Sequence, residues 1–171
     1  MDDLSSLLYR DEQTNEGIRV WHLSISDFFV SDDCPCGHQI NPQDANVQLA
    51  IACLKTMVHQ LRFNICGLKD SRLANADIED LPSRIIENIF DSLQHSSLYW
   101  SNHLCPTPNN NDRRVWESLK EFFEGPHPLF WIEVLSMMGM VPAGAPSIRS
   151  MISWAEVSTA PACIQGDFDC L

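Results

Sequence analysis

The sequence predicts a mainly α protein: a helical domain of about five helices, preceded by a short β-hairpin that is the remnant of a winged-helix unit. Three observations carry this. From residue 41 onward, apolar residues recur at spacings of three and four, the period of a helix with one face buried. Breaks rich in Pro, Asn and Gly separate these periodic runs. The one alternating stretch is short and lies before residue 30. The expected organisation is a partial winged-helix remnant over 1–40, a helical domain over 41–157 and a disordered tail over 158–171.

Taken in order, LSSLLYRD (residues 4–11) reads as the end of a helix, and DEQTNEG as a polar loop ending at Gly17. IRVWHLS sets Ile18, Val20 and Leu23 against Arg19 and His22, a half-buried strand, and Ser24 or Ser26 then caps the helical turn SDFFV. SDDCPCGHQI is a loop. The clearest helix follows, with Asn41 as N-cap, Pro42 in the first helical position and Asp44 in the first turn. Its stripe is Val47, Ala50, Ile51, Leu54, Met57, Val58 and Leu61. After Gly67 and a polar run, Pro82 opens one continuous phase through Ile85, Ile86, Ile89, Phe90, Leu93, Ser97, Trp100 and Leu104. CPTPNNN breaks it. Asp112 caps a helix with Val115, Trp116, Leu119, Phe122 and Phe123 on one face. Pro128 opens LFWIEVLSMM, apolar nearly all round and therefore expected at the centre of the bundle, with Gly139 as its C′ residue. Pro146 opens the last helix, with Ile148, Met151, Ile152 and Ala155 on its inner face.

Composition narrows the function classes. The 23 acidic residues outnumber 11 basic ones, a net charge of −12, whereas nucleic acid and anionic membranes both demand a positive field. A hydrophobic fraction of 44% with five Trp argues for a packed core. Seven cysteines, an odd number, and a start without basic and apolar signal regions make a secreted disulfide scaffold a poor reading. Reduced thiols in the cytoplasm are expected. The longest apolar run, 128–141, carries Glu133 and is too short for a bilayer span.

No residue is assigned a catalytic, cofactor-binding or metal-binding role, and no cofactor is expected. Cys34, Cys36 and His38 (CPCGH) are the most metal-like group, yet the spacing is C-x-C and no second tight pair follows; Cys53 and His59 would complete a site only by folding back. The ordinary loop is the expected reading, with a small zinc-binding module kept as an alternative. Cys66, His95, His103 and Asp91 can be written as a thiol–imidazole–carboxylate triad, but such a triad is defined by geometry, and Cys66 beside Phe63 and Ile65 reads as core. His22 reads as structural. Neither a P-loop nor a GxGxxG fingerprint is present, so no nucleotide is expected for this chain alone.

DLPSRIIENIFDSL (residues 80–93) resembles the opening of an F-box, which implies docking to a Skp1-type ubiquitin-ligase subunit. A second resemblance covers most of the chain. IRVWHLSISDFFVSD, QLAIACLKTM with LRFNICGL, DIEDLPSRI with LQHSSLYWSNHL, and LKEFFEGPHPLFWIEVLSMMG resemble, in the same order, segments of fungal NACHT-type (NOD-like, STAND) signal-transduction NTPases. The matching region lies C-terminal to their nucleotide-binding core. It implies the end of a winged helix followed by a helical connector, a non-enzymatic fragment without the P-loop that works through protein partners or the neighbouring domains of a larger receptor. His22 stands at the winged-helix His position of the motif. Ile25 departs from the family's Phe, and the residues after Val157 do not resemble it, which implies a truncated gene or an altered exon end. Trp100, Trp116, Trp131 and Leu54 are expected to matter as packing residues.

Overall fold

The computed structural model describes residues 8–10, 18–20, 23–35, 37–70, 72–107 and 112–159. Within them the protein is helical, with seven α-helices. They divide into two compact units at Ala45/Asn46.

In the first unit the backbone of β1 (Leu8–Arg10) pairs antiparallel with β2 (Ile18–Val20), in the register Leu8↔Val20. The expected helix end over residues 4–11 therefore fails at Leu8–Arg10, which are extended. The loop 11–17 and His22 lie outside the described residues, as do the residues that would define a winged helix. Helix α1 spans Leu23–Val30. A turn held by Cys34 N–H to Ser31 O (3.2 Å) and His38 N–H to Pro35 O (3.0 Å) follows it.

Helix α2 (Pro42–Gln60) starts where the Asn-Pro pair predicts. The Asn41 Oδ1 accepts from the Gln43 and Asp44 amides at 2.9 and 3.4 Å, filling two donors that the first turn leaves open.

In the second unit, Val47, Ala50, Leu54, Met57 and Leu61 are buried along the expected stripe of α2, joined by Cys53. The run from Pro82 to Leu104 is not one helix. Helix α3 (Leu81–Asn88) ends, and α4 (Asp91–Leu104) begins afresh after Phe90, whose φ −64° and ψ 157° are extended. Two physical facts favour the break. Asp91 gains the positive N-terminal end of a new helix. Turning the chain also lets Ile89 and Leu93 both reach the core while Ile86 and Phe90 stay outside.

Helix α5 (Arg113–Glu124) starts under its predicted cap, Asp112, whose carboxylate accepts the Arg114 amide at 2.9 Å. Helix α6 (His127–Met137) closes with Gly139 at φ +69°. The Gly139 amide donates to Ser136 O and the Met140 amide to Leu135 O, the pair of bonds of a Schellman ending, so the C′ expectation is met. A 3₁₀ turn (Val141–Ala143) leads into α7 (Gly144–Thr159).

Aromatic rings from three helices form the centre. Trp100 of α4 stands edge-on to Trp131 of α6, with centroids 6.0 Å apart, and lies 6.2 Å from Phe122 of α5. All three side chains are buried. Trp116 and Trp154 pair at 5.1 Å, joining α5 to α7. Of the four residues expected to carry packing, Trp100, Trp131 and Leu54 are fully buried, and Trp116 lies against the core partly covered. Helix α6 departs from expectation in one respect. It buries Trp131, Val134 and Leu135, but Leu129 is 70% and Ile132 49% exposed, so it is covered on one side and open on the other.

Candidate functional site

Two places in the second unit gather polar side chains around buried backbone or buried sulfur. The first lies where α2 runs out. The backbone turns at Asn64, which takes φ +51°, a left-handed value that Asn tolerates better than most residues. Its side chain folds the loop by accepting the Leu68 amide at 2.7 Å and donating to the Leu68 carbonyl at 2.9 Å. Two backbone amides then point away from any helix, and Glu133 on α6 meets both. Its Oε2 accepts from Asn64 N–H and its Oε1 from Ile65 N–H, each at 3.1 Å.

Neighbouring ties repeat the pattern. Asn75 Nδ2 donates to Ser136 O at 2.7 Å, and Arg84 Nη1 to the carbonyls of Cys66 and Gly67 at 3.0 and 2.9 Å. Trp131 Nε1 donates to Ser97 O at 2.9 Å in the buried core. A groove lined by Phe63, Asn64, Lys69, Asn75 and Glu133 runs alongside. Both Glu133 oxygens are already engaged by amides, so this carboxylate acts as a clamp between loop and helix.

The second place combines α2 and α4. The Cys53 thiol and one nitrogen of each of the His95 and His103 rings all lie within 4.8 Å of one another. The two His Nε2 atoms face each other at 3.3 Å. His103 Nδ1 lies 3.3 Å from Asn46 Oδ1. With an amide oxygen facing it, Nδ1 carries the hydrogen, which leaves Nε2 with its lone pair directed at the cluster. Cys53 is buried, His103 half-buried and His95 exposed, so the group opens to solvent on one side. Burial, offset in part by a hydrogen bond with Ser96, pushes the Cys53 thiol up. Burial and then the neighbouring His95 push His103 down. A neutral imidazole presents a lone pair to a metal ion, and a thiol becomes a ligand by giving up its proton to solvent, so this set of donors can coordinate.

The predicted groups fare differently. The paper triad loses its thiol and its carboxylate: the cluster around His95 and His103 contains neither Cys66 nor Asp91. Cys66 is buried beside the Glu133 clamp, its thiol raised by burial first and then by Glu133, while Arg84 and Arg62 act the other way. Asp91 is exposed in the first turn of α4. In the CPCGH loop Cys34 is buried, His38 is exposed and Cys36 lies outside the described residues. His59 binds back to its own helix, its Nδ1 2.8 Å from Lys55 O. The sequence offers His95 and His103 only in a triad with Cys66 that it does not favour, and Cys66 is core as expected; the structure places Cys53 beside the two rings. In the sequence Glu133 stands only as a charge in an apolar run. That lone carboxylate in an otherwise apolar helix was the available signal, since such a group demands a partner.

Comparison with protein-family models, with curated proteins and with solved structures finds no match for the chain. Among the described residues, no helix is long and apolar enough to cross a membrane.

Proposed function

We propose that this chain is a non-enzymatic helical connector or interaction module, cytoplasmic, resembling the region that follows the nucleotide-binding core in fungal NACHT-type, NOD-like receptors. The observation that carries the reading is the uncovered side of α6. Leu129 and Ile132 are large apolar residues left in solvent on a helix whose other face is core, and Met140 and Val141 continue the exposed apolar surface in sequence. Full burial of a large apolar side chain is worth about 1.5–3 kcal/mol, and a neighbouring domain or protein partner would recover most of that at Leu129 and about half at Ile132.

The segments behind the resemblance support it in a second way. LRFNICGL, LQHSSLYWSNHL and the WIEVLS helix are tied together by Glu133 and Trp131. Residues of these motifs hold helices to one another, as an element that passes on movement requires. The β1–β2 pairing and α1 are compatible with the end of a winged helix.

The test begins with the mass of the native product, by immunoblot of source cells with an antibody to residues 109–120. A band many times 19.4 kDa supports a connector within a receptor, and a sole band at 19.4 kDa overturns that part of the reading. The double variant Leu129→Glu/Ile132→Glu should then abolish association with the neighbouring receptor domains while keeping the native helical spectrum. Undiminished association refutes the role given to α6.

An F-box-like adaptor is the alternative, favoured by Ile86 and Phe90, which stand 75% and 58% exposed in the matching segment. It requires co-purification with the Skp1-type subunit, lost on Ile86→Asp. Ile89 is fully buried, and a charge there would unfold the helix pair under either reading.

A further inference from the structure

We propose that Cys53, His95 and His103, with Asn46 behind them, form a binding site for a divalent ion of the zinc class, with a fourth coordination position open to water. The donor set is one sulfur and two imidazoles, which suits Zn²⁺ or Co²⁺ and does not suit Mg²⁺ or Ca²⁺, whose partners are oxygens. The spacing fits as well. Two imidazole nitrogens at about 2.0–2.1 Å from a tetrahedral zinc stand roughly 3.3–3.4 Å from each other. The His95 and His103 Nε2 atoms are 3.3 Å apart. The thiol lies within 4.8 Å of the ring nitrogens, so a small rotation brings its sulfur into bonding range.

The arrangement is not a by-product of helix spacing. Positions 95 and 103 lie eight residues apart, about 12 Å along a helix axis. Side chains so placed meet only if they lean toward each other, and here their ring centroids are 5.6 Å apart. Behind His103, Asn46 supplies the carbonyl oxygen that fixes the tautomer and aims Nε2 inward, as outer partners of metal-binding histidines do. Two facing Nε2 atoms share a single hydrogen in the metal-free protein. The ion replaces that hydrogen as His95 moves its proton to Nδ1, and coordination sends the Cys53 thiol proton to solvent. The exposure of His95 provides the way in. Three protein donors and one open position would let the bound ion take a fourth donor from a partner or hold a water.

The experiment titrates the full, chelator-treated chain with Co²⁺. The expected result is one ion per chain, a thiolate-to-cobalt charge-transfer band with ligand-field bands of tetrahedral intensity, and displacement by Zn²⁺ but not Mg²⁺. His95→Ala, at an exposed position, should abolish the tetrahedral bands without altering the helical circular dichroism. Cys53→Ser should remove the charge-transfer band, and Asn46→Ala should weaken binding by roughly 10–100-fold. The triple variant Cys34→Ser/Cys36→Ser/His38→Ala should bind like the native chain. The proposal is overturned if the native chain shows no charge-transfer band at millimolar cobalt. A band that survives His95→Ala, or one that disappears in the triple variant, overturns it equally. Should Cys53→Ser fail to fold, His95→Ala alone decides.

Discussion

Replacing Glu133 tests how far one side chain holds the second unit together. Its two oxygens satisfy the amides of Asn64 and Ile65, both part-buried bonds across 69 and 68 residues of sequence. Glu133→Gln keeps one acceptor, but sets an NH₂ group against the second amide. One charge-assisted bond, about 1.5–3 kcal/mol, is lost. Glu133→Ala strands both donors at about 1–3 kcal/mol each, roughly 2–6 kcal/mol together. Against a typical domain stability of about 5–15 kcal/mol, the first variant folds and the second is marginal. Urea unfolding followed by circular dichroism measures the difference, and Tm should fall by roughly 2–4 °C per kcal/mol for a chain of this size. Hydrogen exchange should show the Asn64 and Ile65 amides losing protection first. If Glu133→Gln unfolds within 0.5 kcal/mol of the native chain with an unchanged denaturant slope, and both amides stay protected, the clamp does not work as described.

Two further outcomes follow from the same packing. Trp100→Ala empties the centre of the aromatic cluster, and the loss should be about 3–5 kcal/mol by urea titration; a value under 1 kcal/mol would contradict its burial. Acid should weaken the start of α5. The Arg114 guanidinium hydrogen-bonded to Asp112, with help from the backbone amides of Arg114 and Val115, holds that carboxyl below the usual carboxylate range. The folded state thus binds this proton less readily than the unfolded chain. The associated stability is full above the ordinary Asp pKa and is lost as pH falls through the lowered folded value. Urea midpoints measured downward from pH 6 should decline less steeply in Asp112→Asn, and an identical pH profile would discount the pairing.

Most helices were legible because their signals are local. Asn41-Pro42, Asp112 and Gly139 mark helix ends by bonds formed within a few residues, and each does so in the structure. The split at Phe90 was not legible. The apolar phase runs unbroken through Ile86, Ile89, Phe90 and Leu93, and only the tertiary demand that Ile89 and Leu93 be buried together decides it. The same limit hid the open side of α6, since periodicity reports how apolar a helix is and not how many neighbours it has. The cluster was half legible. His95 and His103 stood out, but the i,i+8 interval matches no familiar ligand spacing. Choosing Cys53 over Cys66 required knowing which face of α2 meets α4.

Six of the bonds that hold the second unit together share one asymmetry. Glu133 receives backbone amides, Trp131 and Asn75 give to the carbonyls of Ser97 and Ser136, and Arg84 to those of Cys66 and Gly67. Each of these six has a side chain at one end only, unlike the His103–Asn46 contact. Mutational drift at Ser97 or Ser136 leaves the accepting carbonyl in place, whereas drift at Trp131 or Asn75 removes the donor. The hydrogen-bonding requirement of these ties therefore falls on four side chains, while the residues that receive them answer to a different demand: Ile65, Cys66 and Ser97 must fit a buried site, and Asn64 and Gly67 must take positive φ.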